Sequence, residues 1–133
     1  MRPLRILETS LYAENLDDMQ KFYCDIIGLE LFSRVEGRHV FLRCGQGMLL
    51  IFNPERTQQA NGSVPEHGTH GAGHVAFAIP AHELEKWRGH LQRNNIEIEK
   101  EITWPTGGHS LYFRDPAGHS IELATPQTWN FDN

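Results

Sequence analysis

Three acidic or imidazole side chains stand where a strand would turn them away from its apolar face. In HSIELA, Ile121 and Leu123 alternate with Ser120, Glu122 and Ala124. In GHVAFAIP, Val75, Phe77 and Ile79 alternate with His74, Ala76 and Ala78, and near the start Leu7, Thr9 and Leu11 alternate with Glu8, Ser10 and Tyr12. Successive side chains of a strand point to opposite faces. Each segment therefore has one face made to pack and one that is polar or small. A face turned only to water would carry more Lys, Thr and Glu; small residues beside His74 and Glu122 fit a cleft floor. Two carboxylates and one imidazole suit Mn²⁺, Fe²⁺, Co²⁺ or Ni²⁺, with Zn²⁺ less favoured. Three protein ligands leave positions open for water or substrate. Taken singly, a strand Glu is ordinarily solvent-exposed and a strand His ordinarily a hydrogen-bonded structural residue.

What lifts Glu8 and His74 above that expectation is their equivalent placement in two halves of the chain. LRILETSLYAEN (4–15) reads as a strand, and LDDMQKFYCDIIGLE as a helix with Leu16, Met19, Phe22, Tyr23, Ile26 and Ile27 at helical spacing. Asn15 or Asp17 can cap its start and Gly28 end it. LELFSRV, HVFLRC and MLLIFN follow as three strands. After the Gly- and Pro-containing stretch 53–73, read as a linker or mobile loop, the order repeats: GHVAFAIP, the amphipathic AHELEKWRGHLQRN with Leu84, Trp87 and Leu91 on one face, then IEIEKEI, HSLYFR and HSIELA. FLRCGQGMLLIF (41–52) overlays YFRDPAGHSIEL (112–123) with Arg43 on Arg114 and Gly47 on Gly118, and at that constant offset Glu122 falls on Ile51.

Leu111 and Phe113 alternate with Ser110, Tyr112 and Arg114, which puts the last two beside the proposed metal strand. Tyr112 can serve as hydrogen-bond donor or acid, and Arg114 can grip a carboxylate or phosphonate through two bonds. The ordinary alternative for Arg114 is a pairing with Asp115 or a turn carbonyl, and His119 is expected to organise the turn rather than react. His67, His70 and His74 have an HxxHxxxH spacing, but it crosses from a Gly/Pro-rich loop into a strand, without the helical period such a site needs. That loop is a candidate lid. Trp104 and Trp129 are expected to pack in a core or an interface.

The remaining features narrow the class. The chain has 133 residues and a net charge of −5, with no basic stripe, which argues against nucleic acid and anionic membranes as partners. No apolar run reaches the roughly 20 residues of a membrane span, and the N-terminus lacks a signal-peptide core. Cys24 and Cys44 form no disulfide framework or zinc spacing, so reduced thiols and a cytoplasmic location are expected.

The doubled pattern, with AENLDDMQKFYCDIIGLEL and LYFRDPAGHSIELATP, resembles the vicinal oxygen chelate superfamily from Leu4 to about Pro126. That superfamily includes glyoxalase I, extradiol dioxygenases, fosfomycin-resistance thiol transferases and bleomycin-resistance proteins. The resemblance implies an α+β fold of two tandem βαβββ modules forming a curved mixed sheet around a metal cleft. Module 1 would span about 4–54, the linker about 55–72 and module 2 about 73–126. It implies metal ligands at His74 and Glu122, and at Glu8 where many members carry His. Ile51 cannot ligate, so the four-ligand set of glyoxalase I is absent. The expectation is a divalent-metal-dependent enzyme, of dioxygenase or lyase/isomerase type, on a small metal-chelating oxygenated substrate, with Tyr112 and Arg114 orienting it. The alternatives are a metal-free drug- or metabolite-binding protein and a fosfomycin-type thiol transferase. A homodimer is also expected, with exchange of modules between chains left open.

Overall fold

A computed structural model describes residues 1–60 and 62–132. It contains the two βαβββ modules, each with its own four-stranded mixed sheet. By compactness the chain divides into a unit from Met1 to Gly71 and a unit from Ala72 onward. Among the described residues, no helix is long and apolar enough to cross a membrane.

In the first unit, β1 (Glu8–Tyr12), β2 (Glu30–Val35), β3 (His39–Cys44) and β4 (Gly47–Phe52) form a sheet in the order β1-β4-β3-β2. β1 runs parallel to β4, and the other neighbours are antiparallel. Leu11, Val40, Leu42, Leu49 and Ile51 fill one face of β1, β3 and β4 and are buried. The helix α1 (Leu16–Lys21) contacts β3 and β4 and widens into a π-helical stretch over Phe22–Ile27. Met19 and Tyr23 are fully buried, and burying such side chains stabilises a fold by about 1.5–3 kcal/mol each. Gly28 ends the helix at φ 85°, a conformation glycine adopts at no steric cost. Asn15 occupies the cap position, but its side chain makes no capping bond.

The segment after β4 departs from the expected linker. Pro54–Thr57 forms a short helix, α2, with Pro54 and Thr57 buried. Asn53 caps it, its side chain accepting from the Glu55 N–H at 3.0 Å. Asn followed by Pro is a helix-start signal, and it was masked by the Gly- and Pro-rich sequence that follows.

In the second unit, β5 (His74–Ala78), β6 (Lys100–Thr103), β7 (His109–Arg114) and β8 (Ser120–Ala124) form a sheet in the order β5-β8-β7-β6. Its core comprises Leu111, Phe113, Ile121 and Leu123, each no more than 1% exposed. A 3-10 turn over Ala81–Glu83 leads into α3 (Leu84–Arg93), whose buried residue is Leu91. β6 is shorter than IEIEKEI implies, although the Glu99 N–H still bonds the Tyr112 carbonyl at 2.8 Å.

The registers correct the repeat alignment by one residue. His74 pairs with Ser120, Ala76 with Glu122 and Tyr112 with Glu122. In the first sheet Glu8 pairs with Met48, Ser10 with Leu50 and Phe41 with Leu50. The counterpart of Glu122 is therefore Leu50, not Ile51. The β7–β8 turn is one residue longer than the β3–β4 turn, because Arg114 pairs with Ser120 while Arg43 pairs with Met48. Ile51 lies on the core face, fully buried. Either residue is aliphatic, so the first repeat still has no carboxylate at this position.

Candidate functional site

The second sheet brings four of its polar residues together on one face. His74 on β5, Glu122 on β8, and Ser110 and Tyr112 on β7 share that face through the pairings of Ser110 with Ala124 and Tyr112 with Glu122. The His74 Nε2 lies 3.2 Å from the Glu122 Oε2, the imidazole half exposed and the carboxylate only 9% exposed. His74 Nδ1 lies 2.9 Å from the Ser120 carbonyl oxygen. A carbonyl only accepts, so Nδ1 carries the hydrogen and, in the neutral ring, Nε2 presents its lone pair to Glu122.

The DPAGHS turn supplies that arrangement. The Asp115 Oδ1 accepts from the Ala117 and His119 N–H groups at 2.9 and 3.0 Å, and Gly118 adopts φ 86°. His119 is buried, and its Nδ1 accepts from the Gly73 N–H at 2.7 Å, while the Ser120 N–H bonds the Gly73 carbonyl at 2.9 Å. The turn thus holds the backbone directly preceding His74, and His119 has the organising role expected of it.

Glu122 has further neighbours. The Ser110 hydroxyl donates to Glu122 Oε1 at 2.5 Å, and the Trp104 indole N–H donates to Ser110 Oγ at 2.8 Å. Burial, then the charge of Glu122 and a hydrogen bond with it, push the Tyr112 hydroxyl above the ordinary tyrosine range, while a hydrogen bond with Ser110 opposes them. The Tyr112 ring stacks near His74, with centroids 6.3 Å apart.

Arg114 is engaged elsewhere. Its Nε donates to Glu99 Oε2 at 3.0 Å, its Nη2 to Glu99 Oε1 at 3.3 Å and its Nη1 to the Gly118 carbonyl at 3.1 Å. His67 and His70 have separate partners in the first unit: Tyr12 Oη lies 2.6 Å from His67 Nδ1, and His70 Nε2 lies 3.2 Å from Glu55 Oε1. Glu8 is exposed on β1, on the face it shares with Ser10, Tyr12, Met48, Leu50 and Phe52. Ser110 could have been found from its shared parity with Tyr112. Trp104 could not, because it reaches Ser110 only through a turn closed by its N–H to the Gly108 carbonyl at 2.8 Å.

Among the described residues, no group of three or more His, Cys, Asp or Glu side chains is set to hold a metal ion. The His74–Glu122 pair nevertheless has the donor chemistry and span of two adjacent ligands. Metal–donor distances of about 2.0–2.2 Å put neighbouring donors of one ion about 2.8–3.6 Å apart. An imidazole whose other nitrogen is tied to a carbonyl is the usual form of a ligating histidine.

Comparison with known proteins agrees over most of the chain. A model of the Glyoxalase/Bleomycin resistance protein/Dioxygenase superfamily matches residues 5–123. The metallothiol transferase FosB of Staphylococcus epidermidis is 31% identical over 116 residues, which is 85% of this chain and 75% of that protein. The glutathione transferase FosA of Serratia marcescens is 28% identical over 111 residues, 81% of this chain and 73% of that one. The crystal structure of a lactoylglutathione lyase from Agrobacterium tumefaciens aligns with a TM-score of 0.95 at 38% identity, covering 98% of this chain and 100% of that one.

Proposed function

The chain belongs to the Glyoxalase/Bleomycin resistance protein/Dioxygenase superfamily, and on that premise we propose that it is a divalent-metal-dependent enzyme. Its substrate is a small oxygenated molecule that chelates the ion, and its second reactant is a thiol of the glutathione kind. The observation that carries this is the facing of His74 Nε2 and Glu122 Oε2 at 3.2 Å, with Nδ1 committed to the Ser120 carbonyl. Two lone pairs so held call for a cation between them.

His74 and Glu122 are two ligands in this reading, with Glu8 the third on the family resemblance. When bound, Mn²⁺, Fe²⁺, Co²⁺ or Ni²⁺ supplies Lewis acidity toward a substrate oxygen. Tyr112, its hydroxyl kept protonated beside Glu122, is placed to donate a hydrogen bond to a substrate oxygen once it releases Glu122. Arg114 braces the turn that carries Ser120; gripping an anionic substrate would require it to release Glu99.

The names of the relatives share a thiol, which supports thiol transfer over ring cleavage by dioxygen. A lyase acting on a glutathione adduct is the second reading, favoured by the 38% identity to the lactoylglutathione lyase. Leu50 weighs against it, because that chemistry, on the family resemblance, uses a carboxylate base at the end of the first repeat. Elemental analysis of protein purified without chelators, followed by thiol consumption with glutathione and either fosfomycin or an α-ketoaldehyde, separates the readings. The expected result is bound metal and thiol transfer, both lost in Glu122→Ala. A folded wild-type protein that takes up no metal would refute the proposal.

A further inference from the structure

Resting on the assignment of Glu122 as a metal ligand, we propose that Ser110 and Trp104 are positioning residues that aim its carboxylate. The hydrogen-bond chain has only one direction. An indole N–H can donate but not accept, so Trp104 Nε1 donates to Ser110 Oγ at 2.8 Å. The single hydroxyl hydrogen of Ser110 is then directed to Glu122 Oε1 at 2.5 Å. That length lies in the range of about 2.5–2.7 Å found for a hydroxyl donating to a charged carboxylate. Fixing Oε1 fixes the carboxylate plane, and the other oxygen faces His74 Nε2.

Burial makes the chain hard to replace. Ser110 is 1% exposed and the Glu122 side chain 9%, so bulk water cannot take over the bond to Oε1. The frame is rigid as well: Ser110 lies diagonal to Glu122 across the β7–β8 ladder, and Trp104 is held by the Trp104–Gly108 turn. Outer partners of metal ligands typically change metal affinity by about 10- to 100-fold.

The experiment titrates Co²⁺ into the metal-free full chain, following heat and the visible ligand-field spectrum. It compares wild type with Ser110→Ala, Ser110→Thr, Trp104→Phe and Glu122→Gln. Ser110→Ala is expected to bind Co²⁺ about 10- to 100-fold more weakly with an altered spectrum, and Ser110→Thr to recover most of the affinity. Trp104→Phe, which keeps the hydroxyl, is expected to weaken binding measurably but by a smaller factor than Ser110→Ala; it carries the test if Ser110→Ala does not fold. Wild-type affinity and spectrum in both Ser110→Ala and Trp104→Phe would overturn the positioning role while leaving the ligand assignment intact. Glu122→Gln binding as tightly as wild type, or no binding by wild type, would instead remove the ligand assignment, and the positioning role with it.

Discussion

His74 Nε2 and Glu122 Oε2 face each other at 3.2 Å, the first on a half-exposed ring and the second on a carboxylate that is 9% exposed. With the ring neutral and Nδ1 committed to the Ser120 carbonyl, both atoms present lone pairs, and a cation between them would join them. Glu122→Gln replaces the carboxylate with an amide, whose N–H can donate to the Nε2 lone pair.

Metal should therefore stabilise wild type, and the effect should depend on both residues. At a free Co²⁺ concentration 100-fold above its dissociation constant, the gain is about 2.7 kcal/mol. Thermal unfolding with and without Co²⁺ should show a clear upward shift in wild type and little or none in His74→Ala or Glu122→Gln. The metal-free variants should melt near metal-free wild type; a full metal-induced shift in either variant would contradict their assignment as ligands.

The register places Leu50 where the second repeat has Glu122, and Ile51 on the opposite, core-facing side. Ile51→Glu buries an unpaired charge, which costs about 3–5 kcal/mol, a large part of a typical total stability of about 5–15 kcal/mol. Leu50, although only 6% exposed, lies on the other face, shared with exposed Ser10, so Leu50→Glu should cost less, about 1.5–3 kcal/mol, chiefly for the lost burial of the Leu side chain. Urea unfolding of the two variants checks this. Equal losses would mean that the face assignment is wrong.

His39 should make stability depend on pH. It is buried, stacks on Phe41 with centroids 3.8 Å apart and meets the edge of Phe52. Arg38 Nη1 lies 2.6 Å from its Nδ1 and can only donate, so the ring accepts there and is neutral. Burial, and then the charge of Arg38, hold His39 below the ordinary histidine value of 6.5. The unfolded chain thus binds the proton first. The stability contributed by neutral His39 is complete above that value, falls as pH drops through it and levels off below the folded pKa. Melting between about pH 7.5 and about pH 5 should fall more steeply for wild type than for His39→Phe; parallel curves would show that His39 is not the group responsible.

Much of this was legible in the residues. Strand alternation alone separates Ile121 and Leu123 from Glu122, because a side-chain period of two leaves no other choice of face. The same rule puts His74 and Tyr112 on the face of Glu122, while helical spacing and turn residues mark the order of both modules. It could not detect one extra residue in the DPAGH turn, since sequence overlay conserves offset while register follows hydrogen bonds. That is why Ile51 stood in for Leu50. The helix at Pro54–Thr57 was legible in Asn53-Pro54 but was outweighed by the Gly- and Pro-rich sequence beyond it.

By itself the sequence determined which residue types are available, which face of each strand they occupy and that the pattern is doubled. These are local properties, set by backbone geometry and apolar periodicity. Tertiary structure decided which donors meet: His74 Nδ1 on the Ser120 carbonyl, Ser110 and Trp104 behind Glu122, and Arg114 drawn away to Glu99. Those partners are 46, 12, 6 and 15 residues apart in the chain. Strand pairing and a turn, rather than any local propensity, bring them within hydrogen-bonding range.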